Sequence, residues 1–356
     1  MHEEPSGVWI MAYTTIDDPS AYFQTTIYTG DASTQDITNS GNSDLQPDFI
    51  WIKNRDAESN HIIQDTSRGI NICSFPDEEN SEQTNSNFGH VNSVASDGFQ
   101  VDEGNSGEAN ANKNTEKYVA WQWKANGGTT ASNTDGNLTT TVQANQTAGF
   151  SIVLWTSTGS SDTIRHGLGA TPQVLIEKSR STDGAWTIFT SMGGNKLFAF
   201  TDADATTSFS GVSNVGSSIF TDGNGGTDTR LVYCFTPIQG YSKFGNYVGT
   251  GNADGPFLYT GFKPAWVMIK ETGASGSWHI FDNTRKVGNV SDSILYADLN
   301  NAEATSQTGN PIDILSNGFK CRGGGNDTNL DGGAYIYMAF AEHPFVSSEG
   351  VPTTAR

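Results

Sequence analysis

The chain has 356 residues, 40 glycines and a formal net charge of −20, and 16% of its residues are charged. Such an acidic surface argues against binding to nucleic acid or an anionic membrane, since both need clustered Lys and Arg. No stretch approaches the ~20 apolar residues of a membrane helix, and Met1–Pro5 lacks the basic and apolar regions of a signal peptide.

The pattern of residues predicts an all-β protein. Gly, Ser, Thr and Asn are abundant, whereas long periodic segments rich in Ala, Leu, Glu and Lys are absent. The polar N-terminal segment 1–20 carries Trp9, Ile10 and Tyr13, and we expect it either to dock on a partner or to fold back onto the body. A first strand is predicted at Thr25–Gly30, with counterparts at Ser151–Thr156 and Asn246–Gly249.

One motif organises the rest of the chain because it occurs three times. It consists of Pro, a variable residue, an apolar run and a Lys six places after the Pro, at 47–53, 172–178 and 264–270. Such apolar runs predict strands buried on both faces, which we call the Pro strands. Pro at the head of a strand costs no ladder hydrogen bond, so it should mark the strand entry.

Each copy ends in another apolar segment, here called the closing strand, at 118–123, 230–235 and 335–340. At matched positions of the closing strands, the three copies have side chains of similar size but different chemistry. This is typical of a packed core, so we expect Trp121 and Trp123 to be buried. We predict three tandem β-sandwich modules of jelly-roll or concanavalin-like type, at residues 21–126, 148–240 (shortened) and 241–346. A Gly/Thr/Asn-rich linker should occupy 127–147, and a C-terminal tail 347–356.

Three cysteines, Cys73, Cys234 and Cys321, lie at non-equivalent places in the copies. Without framework spacing, they predict thiols packed as small hydrophobes and a protein folded in a reducing compartment.

Two charged pairs stand at matched positions: Asp65 with Arg68, and Asp282 with Arg285. They predict either a charge-assisted bond that pins the loop after the second strand or an acidic, sugar-binding site. The middle copy has Thr190 and Gly193 instead, so the fold does not require the pair.

Asp327, Asn329 and Asp331 match the first half of a calcium loop, with Gly332 at the sixth position. The twelfth position would be Met338 instead of Glu. The alternative is an Asx-rich connection between strands. Calcium is the sole cofactor that the sequence suggests.

The residues show none of the motifs typical of a catalytic site. There is no Gly-x-Ser-x-Gly, His-Glu-x-x-His or phosphate-cradling glycine loop. Acidic residues are plentiful, so a glycosidase using paired carboxylates stays open as an alternative. We expect a protein that is not an enzyme.

Several long segments of the chain are distinctive: Tyr13–Gln24, Gln46–Lys53, Tyr118–Trp121, Tyr241–Tyr247, Asn252–Phe257 and Met338–Phe345. They resemble a family of uncharacterised repeat proteins encoded by marine tailed bacteriophages, and the resemblance extends from about Met11 to Arg356.

This resemblance implies a structural protein of the virion, made in the host cytoplasm. Its expected role is a tail-fibre or adhesin component that contacts a host glycan or protein. The alternatives are a capsid decoration or head-fibre protein and, as an outsider, a polysaccharide depolymerase. We expect its partners to be other virion proteins and further copies of itself, since closed homo-oligomers are common.

Overall fold

In the computed structural model, which describes residues 12–84, 87, 89–104, 110–134, 136–205, 211–223 and 225–353, regular structure is almost entirely antiparallel strands. Residues 12–126 contain a 3₁₀ helix at Pro19–Ala21 and strands β1 (Phe23–Thr29), β2 (Gln35–Thr38), β3 (Phe49–Asn54), β4 (Ile62–Asp65), β5 (Ile72–Ser74), β6 (Gln83–Thr84), β7 (His90–Ala95), β8 (Gly98–Asp102) and β9 (Lys117–Trp123).

The middle part contains β10 (Ala131–Asn133), β11 (Thr140–Asn145), β12 (Phe150–Thr156), β13 (Asp162–Arg165), β14 (Val174–Ser179), β15 (Thr187–Thr190), β16 (Lys196–Phe198), β17 (Val212–Ser213), β18 (Ile219–Asp222) and β19 (Thr229–Phe235). The last part contains β20 (Ser242–Val248), β21 (Phe257–Tyr259), β22 (Phe262–Glu271), β23 (His279–Asp282), β24 (Leu295–Tyr296), β25 (Ile312–Leu315), β26 (Gly318–Cys321), α1 (Asn326–Asn329) and β27 (Ala334–Pro344). None of the helices in the described ranges is long and apolar enough to cross a membrane.

The strands form three large sheets, each facing a three-stranded sheet. The large sheets have the orders β1-β9-β3-β4-β5-β6, β10-β11-β12-β19-β14-β15-β16 and β20-β27-β22-β23-β24. The small sheets are β2-β8-β7, β13-β18-β17 and β21-β26-β25. We call each large sheet with its small partner a unit, so that units 1, 2 and 3 contain β1–β9, β10–β19 and β20–β27. The prediction of an all-β protein is confirmed.

The Pro strand lies beside the closing strand in the same register in every unit. Two residues after the Pro, Phe49 pairs with Trp123 and Val174 pairs with Phe235. In unit 3, Trp266 pairs with Phe340. The prediction that Pro marks the strand entry is wrong in this unit, because β22 begins at Phe262 and includes Pro264. The register shifts at Pro264, and such an irregularity accommodates a residue that has no N–H to donate.

The stretch predicted to be a linker, 127–147, contributes two strands to the second large sheet. β11 pairs with β12, residue for residue from Thr141↔Leu154 to Asn145↔Phe150, and β10 pairs with β11. This stretch is therefore part of unit 2 in addition to connecting it with unit 1.

A separate hydrophobic core fills each unit between its large and small sheets. Cys73 lies in the core of unit 1, Cys234 in that of unit 2 and Cys321 in that of unit 3. All three cysteines are buried, and no disulfide links them. The prediction that they pack as small apolar groups is confirmed.

A fourth core lies between the units, where the outer faces of the three large sheets pack together. At its centre, the last aromatic residues of the closing strands contact one another. The ring centroids of Trp123, Phe235 and Phe340 are 5.4–6.4 Å apart in all three combinations. Trp121 and Trp123 are both buried here, as predicted. The three units thus share one interior.

The described part of the N-terminal segment, residues 12–20, folds back onto the body. Thr14 Oγ1 donates to the carbonyl of Gln239 (2.8 Å), and Tyr13 Oη donates to that of Gly261 (3.1 Å). Ile16 is buried in the core between the units. The predicted docking arm is thus, from residue 12 onward, a strap against unit 3; Trp9 and Ile10 lie outside the described residues. In the C-terminal tail, Ser348 donates its backbone N–H to Asp17 (2.6 Å).

Candidate functional site

The two Asp–Arg pairs predicted from the sequence are both formed and fully buried. Arg68 Nε lies 2.6 Å from Asp65 Oδ2, and Arg285 Nε lies 2.5 Å from Asp282 Oδ2. The other oxygen of each Asp accepts the backbone N–H of its own Arg. The geometry agrees with the interpretation that each pair pins a loop.

Each Asp also accepts a hydrogen bond from the closing strand of a neighbouring unit. Tyr233 of unit 2 donates its hydroxyl to Asp65 of unit 1, at 2.8 Å. Trp121 of unit 1 donates its indole N–H to Asp282 of unit 3, at 3.1 Å. The pairs therefore join units as well as pinning loops.

Two glutamates extend these bonds to an arginine of the neighbouring unit. Glu82 lies between Arg68 (3.5 Å) and Arg180 of unit 2 (2.8 Å). Glu303 lies between Arg285 (2.7 Å) and Arg55 of unit 1 (2.8 Å). Sequence reasoning missed both glutamates, since each lies in a stretch without strand periodicity.

Burial alone would lower the pKa of Arg68 and of Arg285, but the adjacent carboxylates outweigh it and raise both. Both guanidinium groups therefore stay charged at the junctions.

Among the described residues, the junction of unit 3 with unit 2 lacks this network. Here Thr190 stands at the position of the Asp, and Met338 at the position of the donor. Both border a small apolar void together with Met192, Met268 and Trp278. A methionine side chain has no proton to donate, so a carboxylate at position 190 would lack the bond that Tyr233 and Trp121 supply elsewhere. This accounts for the absence of the Asp–Arg pair from the middle copy.

The lysine that ends each Pro strand is buried beside a loop of the chain. Lys178 Nζ donates to the carbonyl of Glu79 in unit 1 (2.8 Å), and Lys270 Nζ to that of Asp202 in unit 2 (3.1 Å). Lys53 Nζ instead donates to Asn54 within its own unit (2.7 Å). Burial lowers the pKa of all three lysines, to about 8 for Lys53 and for Lys178.

Two sets of backbone bonds join the units, in opposite cyclic directions. In one set Glu82 donates to Arg180, Ala205 to Thr272 and Glu303 to Arg55, at 3.0, 3.3 and 2.8 Å. The second set begins at matched positions of the three units. Twelve residues after each Pro, Ser59 donates to Asn300, Gly184 to Glu79 and Gly276 to Asp202, at 2.9, 2.7 and 2.8 Å. In this second set unit 1 donates to unit 3, unit 2 to unit 1, and unit 3 to unit 2.

Side-chain bonds two residues further along repeat this order. Trp186 and Trp278 donate to Phe75 and Ala199, at 2.8 and 3.0 Å, and His61 Nε2 donates to Leu299 at 3.1 Å. The three units thus form a closed ring.

The predicted calcium loop folds differently from a metal site. Residues 326–329 form the one-turn helix α1. Asn329 Oδ1 accepts the N–H of Thr250 (2.8 Å), and its Nδ2 donates to two carbonyls. Asp331 is exposed. Within the described ranges, no cluster of three or more His, Cys, Asp or Glu is placed to hold a metal ion. The interpretation as an Asx-rich connection fits this geometry better.

A polar cleft of about 470 Å³ opens on unit 2; we call it the side cleft. Arg230 lies within it between Glu177 (2.7 Å) and Asp228 (3.2 Å), and Asp222 Oδ2 is 3.7 Å from its Nε. Burial, and next the charge of Asp222, raise the pKa of Glu177 to about 7, although Arg230 opposes the shift. The arrangement can bind hydroxyl-rich ligands through charged groups and Thr and Ser hydroxyls.

A second pocket, also of about 470 Å³, opens where all three units meet; we call it the central pocket. Trp186 and Phe200 line it together with acidic residues from each unit: Asp77, Glu78, Glu79, Asp202 and Asp298. Sequence reasoning missed this pocket because its lining is assembled from three distant stretches.

Comparison with known proteins gives a family but no activity. No curated protein matches the chain. Residues 18–344, which include all of the strands β1 to β27, match the family described as a domain of unknown function, DUF7483. The chain therefore belongs to the DUF7483 family.

Proposed function

We propose that the chain is a non-enzymatic structural protein of a tailed-bacteriophage particle that acts by binding. The observation that carries this proposal is the closed ring of units around one shared core. The charged residues that first suggested a site, Asp65, Arg68, Asp282 and Arg285, are all buried in junctions between units. Residues in such places hold a rigid body together and do not meet a substrate.

Each unit is, in this proposal, a β-sandwich module of jelly-roll or concanavalin-like type. The pairing of a large sheet with a small one across a core supports it. The recurring register of Pro strand and closing strand supports descent of the units from one repeated sequence.

Within the particle, we place the protein in a tail fibre or adhesin that contacts the host surface. The side cleft supports this role, because its hydroxyls, carboxylates and Arg230 suit a polar ligand such as a glycan. The alternative is a capsid decoration or head-fibre protein. The ring of units suits this role equally well, because such a protein also needs a rigid body and a face for attachment.

Electron microscopy of intact particles labelled with an antibody against this chain tests the proposal. Label at the tail, together with competition of purified protein for host-cell attachment, is the expected result. Label at the head would select the decoration role. Its absence from purified particles would refute the virion proposal altogether.

One observation favours a polysaccharide depolymerase as a second candidate. Glu177, with a pKa raised to about 7, lies in an open cleft near Asp228, and glycosidases pair a protonated carboxyl with an ionised one. Release of reducing ends from host polysaccharide, lost in Glu177→Gln, would support this activity. Arg230, which lies between the two carboxylates, argues for binding instead.

A further inference from the structure

We propose that the central pocket binds an arginine side chain presented by a partner protein. This inference names the kind of partner that a structural protein of this form would recognise, and its test needs only the purified chain. It can therefore fail or succeed independently of the virion role.

The ionisable side chains that line the pocket are all acidic. Five carboxylate residues line it, contributed by units 1, 2 and 3, and its lining includes no Lys, Arg or His. Buried lysines lie close by: Lys178 and Lys270 donate to the backbone carbonyls of Glu79 and Asp202. Burial raises the pKa of Asp77 to about 7, and the charge of the buried Lys53 opposes that shift. Like charges gathered on one wall favour a cationic ligand that enters from solvent.

Two of these carboxylates have an oxygen that the fold leaves without a bond. Asp298 is 7% exposed, and its Oδ1 accepts the N–H of Trp278 at 2.9 Å. Its Oδ2 is buried and accepts no hydrogen bond of normal geometry. Burial raises the pKa of Asp298, although the N–H of Trp278, the charge of Lys270 and the Ser277 side chain oppose the shift. Asp77 Oδ2, from unit 1, is likewise buried without a hydrogen-bonding partner.

A buried carboxylate oxygen without a donor is costly, so these positions point to a ligand that supplies N–H groups.

The volume of the pocket favours an organic cation over a metal ion. Its volume of about 470 Å³ falls in the range of small-ligand sites, ~300–1,000 Å³. No group of three acidic or metal-binding side chains in the described part of the chain is close enough to hold a metal ion. Trp186 and Phe200 border the pocket but are only 1% and 5% exposed, so they offer a ligand little aromatic surface.

A planar guanidinium group can donate to several carboxylates at once, which a compact ammonium group does less well. Arginine therefore fits this lining.

The test titrates the full-length protein with N-acetyl-arginine amide and follows the indole N–H resonance of Trp186. N-acetyl-citrulline amide, which has the same shape without the charge, is the matched ligand control. We expect the arginine amide to bind with a Kd on the order of 1 mM and the citrulline amide to bind at least tenfold more weakly.

Asp298→Asn should weaken binding of the arginine amide roughly tenfold. Asp202→Asn, whose side chain is exposed and whose change should not affect folding, should weaken it about two- to fivefold. Asp254→Asn removes the same charge from an exposed site in unit 3, beside Lys320, and should bind as the wild type does.

Equal binding of the arginine and citrulline amides, or unchanged affinity in both pocket variants, would overturn the proposal. So would the lack of any shift of the Trp186 resonance. Tighter binding of spermidine than of the arginine amide would assign the pocket to a free polyamine and overturn the assignment to a protein side chain.

Discussion

The hydroxyl of Tyr233 donates a 2.8 Å hydrogen bond to the carboxylate of Asp65, across 168 positions of sequence and between two different sheets. The same oxygen of Asp65 accepts from Arg68. An intra-unit pair is thereby completed by a neighbouring unit, and the matched bond from Trp121 to Asp282 repeats the arrangement. Folding of one unit and its packing against the next are therefore coupled.

Tyr233→Phe should lower the free energy of unfolding by about 1–2 kcal/mol, because it removes the hydroxyl that donates to the buried carboxylate of Asp65 and accepts from Arg68, while Arg68 still neutralises that carboxylate. Urea unfolding followed by tryptophan fluorescence measures the change. Met338→Leu at the junction without a charged network is the matched control, and should cost less than about 1.5 kcal/mol. A Tyr233→Phe protein as stable as the wild type would show that the junction does not depend on this bond.

The buried pair Asp282–Arg285 should show strong coupling in a double-mutant cycle. Arg285→Met leaves Asp282 buried and uncompensated, and should cost about 3–5 kcal/mol. Adding Asp282→Asn should recover part of that loss, since the unpaired charge is then removed. Free energies of unfolding for the two single variants and the double variant decide this. Purely additive losses would mean that the pair contributes no specific interaction.

Much of the strand content could be predicted from the sequence, because buried strands leave long β-branched and aromatic runs. Trp51 and Trp121 illustrate this, since each lies in such a run and both are buried. The arrangement of units could not be predicted. An apolar outer face shows that something covers the sheet, but it does not show which part of the chain does so. Glu82 and Glu303 could not be predicted either, because each lies in a stretch without strand periodicity.

One set of matched positions in the sequence also corresponds to these junctions. Eight residues after the Pro stand Arg55, Arg180 and Thr272. Thr272 belongs to unit 3, whose closing strand carries Met338. Unit 3 contacts unit 2, which lacks the Asp–Arg pair. The missing arginine, the missing hydrogen-bond donor and the missing Asp–Arg pair all belong to one junction. The sequence alone does not show this, because they lie in different units that only the structure brings together.

Stability should depend on pH through Glu177. Burial raises its pKa in the folded protein from 4.5 to about 7, so the folded state binds a proton more tightly than the unfolded state does. Its favourable contribution is fully present below about pH 4.5 and is lost as the pH rises toward 7. Relative to wild type, Glu177→Gln should therefore gain on the order of 2–3 kcal/mol between pH 4.5 and 8.

Urea unfolding of both proteins across this pH range provides the measurement. Glu349→Gln, at an exposed position near the C-terminus, serves as the control for the loss of one negative charge. A constant difference between Glu177→Gln and wild type at every pH would contradict the prediction.

The thiols should be unreactive until the protein unfolds. Cys73, Cys234 and Cys321 lie in three different cores, and burial raises the pKa of Cys321 to about 11 and that of Cys234 further. Since the thiolate is the reactive form, native protein at pH 8 should react slowly with a thiol reagent. Denatured, unreduced protein should react with three equivalents. A single equivalent would reveal a disulfide that the structure does not contain.

The strap formed by residues 12–20 should contribute to stability in addition to any role in attachment. Ile16 is 2% exposed in the core between the units, and Thr14 is tied to Gln239 of the segment that joins units 2 and 3. Ile16→Ala should lower the free energy of unfolding by about 2–4 kcal/mol, because it leaves a cavity where three sheets meet. Ile27→Ala in β1, where the side chain is 44% exposed, should cost much less. Urea unfolding of both variants makes the comparison.

Equal stability of Ile16→Ala and wild type would mean that the strap is not packed in solution. The interpretation of residues 1–20 as a docking arm would then be the better one.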